Sequence, residues 1–347
     1  MKSLEKAVPG INAAVNRSYR SLRQFCANRS VAAWKRLVRF NYRRHVLRQP
    51  IPLIMDISAT YRCQCRCVHC CAEAFRGSGA AELKTEEIKN LIDQASRLGV
   101  VQIVFSGGEP LLRKDILELI RYAHDAGMMI RLNTNGLLLK PRVVLNLKRA
   151  GLDICAVSID DAAPQVHDKL RGVPGLHKKA LEGIALLRKA GVFFNILTYA
   201  SKRNVTAGLE KIVALARRHG ALSVLVYFPV AVGRWEGKFE QALNADEREK
   251  VRKLQDFRTV YMELPTADTL CYTYEKSIFY VSAYGDITPC PVVPYSLGNI
   301  REQSLDKIWR RWTEHLNLVW RGNCPMNEPR GREELKKYVE SLPQGMG

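Results

Sequence analysis

The chain has 347 residues, 47% hydrophobic and 25% charged, a globular composition long enough to bury a large core. No apolar run approaches the ~20 residues that span a bilayer, and ten cysteines without a secretory leader point to a reducing, oxygen-poor cytoplasm. The net charge of +20 is unevenly spread: residues 1–50 hold twelve Lys or Arg and one Glu, a net of +11.

That basic stretch is expected to be a helical extension. From Val31 to Leu47, Trp34, Val38, Tyr42 and Val46 recur at i, i+4 spacing, with Leu37 nearby and Lys35, Arg36, Arg39, Arg43 and Arg44 over much of the remaining surface. The pattern suits a basic amphipathic helix on an anionic membrane surface, peripheral at its inner face. A helix packed on the rest of the fold and a lid for an acidic partner also fit, and a basic arm for nucleic acid is not favoured.

Next comes Thr60-Tyr-Arg-Cys-Gln-Cys-Arg-Cys-Val-His-Cys-Cys71, with five of the ten cysteines in nine residues. Cys63, Cys67 and Cys70 give C-x3-C-x2-C. A cubane [4Fe–4S] cluster takes four cysteines, so three from one loop leave one iron open. A zinc site or redox thiols remain alternatives, and Cys65 and Cys71 offer other registers.

Beyond the loop, β-rich runs alternate with amphipathic ones. Strands are predicted at Leu53–Ser58, Val100–Phe105, Met128–Asn133, Ile154–Ile159, Phe193–Thr198 and Ser223–Phe228. Helices are predicted at Glu86–Leu98, Arg113–Ala126, Pro141–Ala150, Leu176–Ala190 and Val205–His219, with Gly99, Gly127, Gly151, Gly191 and Gly220 at their ends. This alternation predicts α/β architecture with a parallel sheet. Four polar stretches follow strands: the cysteine loop, Gly107-Gly108-Glu109-Pro110, Asn133-Thr134-Asn135-Gly136 and Ser158-Ile159-Asp160. Arg171-Gly172 comes soon after.

Cys63-x3-Cys67-x2-Cys70 after a first strand, with these stretches in this order, resembles the radical S-adenosylmethionine (radical SAM) enzymes. The resemblance implies a partial (β/α)6 TIM-type barrel over residues 51–240, with the motifs at one mouth. It implies that Cys63, Cys67 and Cys70 hold a [4Fe–4S] cluster whose open iron binds SAM. His69 would lie near the adenine, and Gly107, Gly108, Glu109 and Pro110 would hold the SAM amino group. Asn135, Ser158, Asp160 and Arg171 are the further SAM-site candidates. The loop Phe228-Pro-Val-Ala-Val-Gly-Arg-Trp235 resembles a segment that closes such barrels, and Arg234 there is a candidate for an anionic substrate.

The tail, residues 241–347, resembles the auxiliary-cluster domain called SPASM or its shorter form, twitch, in Gly285-Asp-Ile-Thr-Pro-Cys-Pro291, Leu297-Gly-Asn-Ile300 and Ser304-Leu-x-x-Ile-Trp309. Cys271, Cys290 and Cys324 would hold one auxiliary iron–sulfur cluster. Cys324 should open a C-x2-C pair, but Asn327 stands at the second position. The fourth iron would be open, or filled by a non-cysteine ligand, by Cys26 or by substrate.

The implied activity is reductive cleavage of SAM to a 5′-deoxyadenosyl radical that abstracts hydrogen from substrate, fed by a flavodoxin- or ferredoxin-type reductant. The expected substrate is membrane-associated (lipid or isoprenoid) or an anionic small molecule, tetrapyrroles and sugar or nucleotide derivatives being among those similar enzymes take. A peptide- or protein-modifying maturase is the alternative. A non-catalytic iron–sulfur carrier or sensor is a third reading.

Overall fold

The computed structural model describes residues 30–343 apart from 78, 206, 257–258, 263–270, 272 and 317–322. The first 29 residues of the basic extension, with Cys26, lie outside the described residues.

Six βα units form the body. Strands β1 (Ile54–Thr60), β2 (Gln102–Gly107), β3 (Met129–Thr134), β4 (Ile154–Ser158), β5 (Phe193–Tyr199) and β6 (Ser223–Tyr227) pair side by side in sequence order, all parallel. Alternate strand residues such as Met55, Ile57, Ile103, Phe105, Ile130 and Leu132 point outward into a continuous apolar layer beneath the helices. Each such side chain is worth roughly 1.5–3 kcal/mol when fully buried.

The helices that supply the other half of that layer are α2 (Thr85–Leu98), α3 (Ile116–Asp125), α4 (Pro141–Arg149), α6 (Leu176–Ala190) and α7 (Gly208–His219). They match the expected runs to within three residues at either end. An extra helix, α5 (Pro164–Arg171), lies between β4 and α6; its eight residues carry too little apolar periodicity to stand out in the sequence.

The tail adds strands to both edges of this sheet. β7 (Val260–Met262) pairs with β6, and β8 (Ile278–Val281) pairs with β1, both parallel. β9 (Asp286–Thr288) and β10 (Gly298–Asn299) continue antiparallel beyond β8, which gives a ten-stranded sheet. Helices α8 (Ala245–Arg252), α9 (Leu305–His315) and α10 (Pro329–Glu340) complete the described tail. Trp309 and Trp312 of α9 are fully buried, and the Trp309 indole N–H donates to the Pro50 carbonyl, tying the tail to the entry of β1.

The basic helix α1 (Val31–Asn41), continued by a wide turn over Tyr42–Val46, lies under the N-terminal ends of the strands. Ala33, Leu37 and Phe40 pack on Ile51, Val101 and Met129. The apolar positions stressed in the sequence face the other way: Val38, Tyr42 and Val46 are 64%, 54% and 64% exposed. Helix α1 thus has two apolar faces, one docked and one open. Several of its cations are not solvated charges. Arg36 donates to Val100 O at 3.0 Å and Ala126 O at 2.8 Å, and Arg43 to Leu98 O at 3.3 Å. Carbonyls at the C-terminal ends of α2 and α3, where the helix dipole is negative, are answered by these guanidiniums. Among the described residues, no helix is long and apolar enough to cross a membrane.

Candidate active site

The parallel register brings the C-terminal ends of β1–β4 to one rim. The cysteine loop springs from β1 and is clamped from two sides. Arg66 N and Val68 N donate to Arg171 O and Leu170 O of α5, both at 2.9 Å. From the β6 side, Arg234 N donates to Cys70 O at 3.1 Å and its side chain reaches Glu73 and Cys67 O. Arg234 therefore positions the loop.

Within the loop, Cys65 is the hydrogen-bond partner of both neighbours, which favours thiolate on Cys63 and Cys67 and raises Cys65 itself. Burial raises Cys70. Cys71 is buried next to Tyr199 and is pushed up to about 12 by burial.

Gly107 and Gly108 have a steric task. A Cβ at Gly107 would meet Ser58 Oγ at 2.3 Å and Thr60 O at 2.4 Å, and one at Gly108 would meet Arg62 O at 2.3 Å. The pair lets the end of β2 lie against the root of the cysteine loop, where Gly108 N donates to Thr60 O at 2.7 Å and Glu109 N to Arg62 O at 2.8 Å. The backbone these glycines admit is thus the protein's own. Glu109 is fully buried and accepts from Thr134 Oγ1 and from Asn135 N, both at 2.8 Å. Burial lifts its carboxyl to about 7 against those hydrogen bonds. Pro110 begins the short helical turn beside it. Asn135 Nδ2 reaches Gln64 Oε1 at 3.3 Å and Cys63 Sγ at 4.0 Å.

Ser158 lines the cavity at the end of β4. Asp160 and Arg171 are engaged with each other. Arg171 Nε and Nη2 donate to Asp160 at 2.5 and 2.8 Å, and Nη1 lies 3.7 Å from Cys67 Sγ. Burial raises the Asp160 carboxyl, but Arg171 and His69 outweigh it and hold the group at about 2. His69 Nε2 is 3.5 Å from Asp160 Oδ2, and burial lowers the imidazole to about 4, so it is neutral at physiological pH. Its ring sits 4.3 Å from Tyr199 and 5.8 Å from Trp235, tilted by 42° and 56° to them, an aromatic cluster beside the cysteine loop.

The second cysteine set faces the same space. Cys271, Cys290 and Cys324 line one cavity of about 290 Å³ together with Cys63, Cys67 and Cys70. Burial raises all three tail thiols, with Cys271 adding to it at Cys290 and both Cys290 and Cys271 adding to it at Cys324. Asn327, where a fourth cysteine is expected, is committed elsewhere: it accepts from Ala231 N at 2.9 Å and donates to Pro229 O at 3.0 Å. Among the described residues, no three ligating side chains close around a single ion. Eight thiols line the cavity, five from the loop and three from the tail, and a set of three from each fits the donor chemistry of two iron–sulfur clusters.

Sequence reasoning missed the barrel lumen. Asp56, Ser106, Arg131, Asn133, Tyr199, Tyr227 and Tyr280 all line the cavity.

Comparison with known proteins agrees with this geometry. Residues 57–205 match the radical SAM superfamily, and residues 271–330 match SPASM, an iron–sulfur cluster-binding domain. The AdoMet-dependent heme synthase of Methanosarcina barkeri is 35% identical over 288 residues, covering 74% of this chain and 82% of that protein. The PqqA peptide cyclase of Granulibacter bethesdensis is 28% identical, covering 75% and 74%. Streptococcus suis SuiB, solved with its precursor peptide SuiA, shares the fold with a TM-score of 0.63 at 17% identity, over 85% of this chain and 70% of that one. With relatives that are enzymes, the carrier-or-sensor reading gives way: the chain belongs to the radical SAM superfamily, as an enzyme that carries the SPASM iron–sulfur domain.

Proposed function

We propose that this enzyme acts on an iron porphyrin of the haem series, taking hydrogen from a side chain of a carboxylate-bearing ring held between its two cysteine sets. The observation that carries the reading is the shared cavity: both cysteine sets open onto it, so one bound molecule could face both. The similarity to a heme synthase over most of both chains supports the choice of ring.

Cys63, Cys67 and Cys70 would hold the SAM-binding [4Fe–4S] cluster, and Cys271, Cys290 and Cys324 the auxiliary one. Bound together, the first cluster and SAM supply reductive sulfonium cleavage. The chain's own part is placement. Gly107 and Gly108 would stand at the amino-group side of SAM, with Asn135 beside them and Ser158 across the rim, while Glu109 and Pro110 would support that wall from behind. Neutral His69 offers the adenine a face, and Asp160 with Arg171 holds the cysteine loop in register. The tail set stands across the cavity, where an electron left on the substrate can be taken up.

The test is anaerobic turnover of reconstituted, dithionite-reduced enzyme with iron coproporphyrin III, with a reduced flavodoxin as donor in a second arm. Expected are 5′-deoxyadenosine formation stimulated by the porphyrin and a porphyrin product of changed mass. Porphyrin recovered unchanged, with SAM cleavage indifferent to it, would leave the peptide-modifying reading in possession; the peptide cyclase relative supports that alternative.

The open face of α1 supports a second placement, on an anionic membrane surface at the inner face. Val31, Val38, Tyr42 and Val46 are exposed beside Lys35 and Arg39. Wild type is expected to pellet with anionic vesicles, and Val38→Asp/Tyr42→Asp to stay in the supernatant. Equal partitioning of the two proteins would count against the idea.

A further inference from the structure

Below the rim, the lumen holds a cation that is only partly answered among the described residues. Arg131 is the third residue of β3, four residues before Asn135, so it lies roughly 13 Å deeper along the strand direction. It is 4% exposed, lines the cavity, and among the described residues its Nε and Nη1 have no hydrogen-bond partner. A guanidinium does not shed its proton, and a buried charge without a counterion is costly. Asp56 stands at the same level on β1, with Val104 of β2 between them in the register, and accepts from the Ser106 hydroxyl. Those two Arg131 nitrogens are left over.

The neighbourhood is also under-satisfied. Among the described residues, Asn133 Oδ1 at the cavity wall on β3 has no partner, and neither does the side-chain amide of Asn195 on β5, which lies outside the cavity lining. In a parallel sheet buried on both faces, strands are ordinarily apolar throughout. Polar groups kept dry and unpaired at a cavity floor are what a polar ligand would satisfy.

We infer that Arg131 anchors a carboxylate of the substrate at the floor of the barrel, fixing how deep the molecule sits and which of its carbons faces the SAM site. This rests on the haem-series reading, in which the ring carries propionate side chains. Carboxylate and guanidinium make short, charge-assisted hydrogen bonds. Asn133 is placed two residues nearer the rim, where its side-chain Nδ2, and not the unpaired Oδ1, can donate to the same group.

The inference is tested by absorbance titration of full-length, reconstituted wild type, Arg131→Gln and Arg131→Lys with iron coproporphyrin III and with its tetramethyl ester. Wild type is expected to prefer the free acid. Arg131→Gln should weaken acid binding by about 30-fold or more while leaving the ester's affinity unchanged, and Arg131→Lys should retain part of the preference. Iron content and circular dichroism establish that the variants are folded. A fourth variant, Arg131→Met, should melt no lower than wild type in the absence of porphyrin, because it removes an unpaired buried charge. A marked fall in Tm would instead make Arg131 a structural partner and overturn the assignment. If wild type and Arg131→Gln bind the acid equally, the anchor is wrong and the haem-series reading stands. If wild type binds neither porphyrin, that reading falls and the anchor falls with it.

Discussion

Gly108→Ala is expected to cost about 3 kcal/mol of stability and to lower SAM cleavage by about 100-fold. The added methyl would lie 2.3 Å from Arg62 O and 2.8 Å from Tyr61 O, both backbone atoms that no rotamer change can move aside. The end of β2 must then back away from the root of the cysteine loop. The bonds from Gly108 N to Thr60 O and from Glu109 N to Arg62 O go with it. The loop that presents Cys63, Cys67 and Cys70 loses its inner support, and a displacement near 1 Å at a reacting centre has an effect of that size. Urea midpoint, iron per chain and 5′-deoxyadenosine yield read the three consequences separately. Wild-type values for all three would mean the close approach is dispensable.

Arg171→Met is expected to be the second severe change, at about 3–5 kcal/mol. Its partner Asp160 is 2% exposed, and removal of the guanidinium strands that carboxylate in the interior. The double variant Asp160→Asn/Arg171→Met should be milder than Arg171→Met alone, because no charge is left behind. The pH dependence follows from the sign of the shift. In the native protein Asp160 is held at about 2, below the ordinary carboxylate value. The pair's stabilisation is therefore complete above pH ~4 and fades as pH falls toward 2. Without Arg171, burial acts alone and favours the neutral acid, so the penalty of the single variant grows as pH rises. The difference in urea midpoint between wild type and Arg171→Met, taken from pH 5 to 8, should widen with pH. A difference that stays flat or narrows would mean that the pair contributes little.

The barrel was legible because its outward strand faces and its helices are strongly patterned. The apolar residues of β1–β6 and the glycines that follow the helices mark six strands and the five helices between them. The cysteine loop and the stretch at Gly107–Pro110 were legible because few structural needs place those residue types together. Other features were hidden for physical reasons. On α1, the sequence shows Val38, Tyr42 and Val46 more plainly than Ala33, Leu37 and Phe40, yet the latter set meets the barrel. Periodicity identifies apolar faces, and only packing decides which of two is covered. The short strands β7 and β8 have three and four residues, and a long-range parallel pairing leaves no local trace. Arg131, Asp56 and Asn195 did leave one: a polar residue inside an apolar run of a parallel strand. Attention to apolar spacing passes over such residues, although their interruption of the run is what marks the lumen.

The pairing of β8 with β1 also has a consequence in time. Ile54 meets Ile278, a separation of 224 residues. A ribosome adding about 5–20 residues per second would expose that edge of β1 for roughly 11–45 s before its neighbour exists. During that interval the newborn barrel presents unpaired backbone on the very strand that leads into Cys63. Such an edge invites pairing with other chains. A nascent chain therefore gains from a chaperone or scaffold that shields β1, and iron delivered before release would reach a loop whose supporting strand has only one partner. Slowing translation downstream of β6 should then lower the yield of iron-loaded protein more than slowing it after β8.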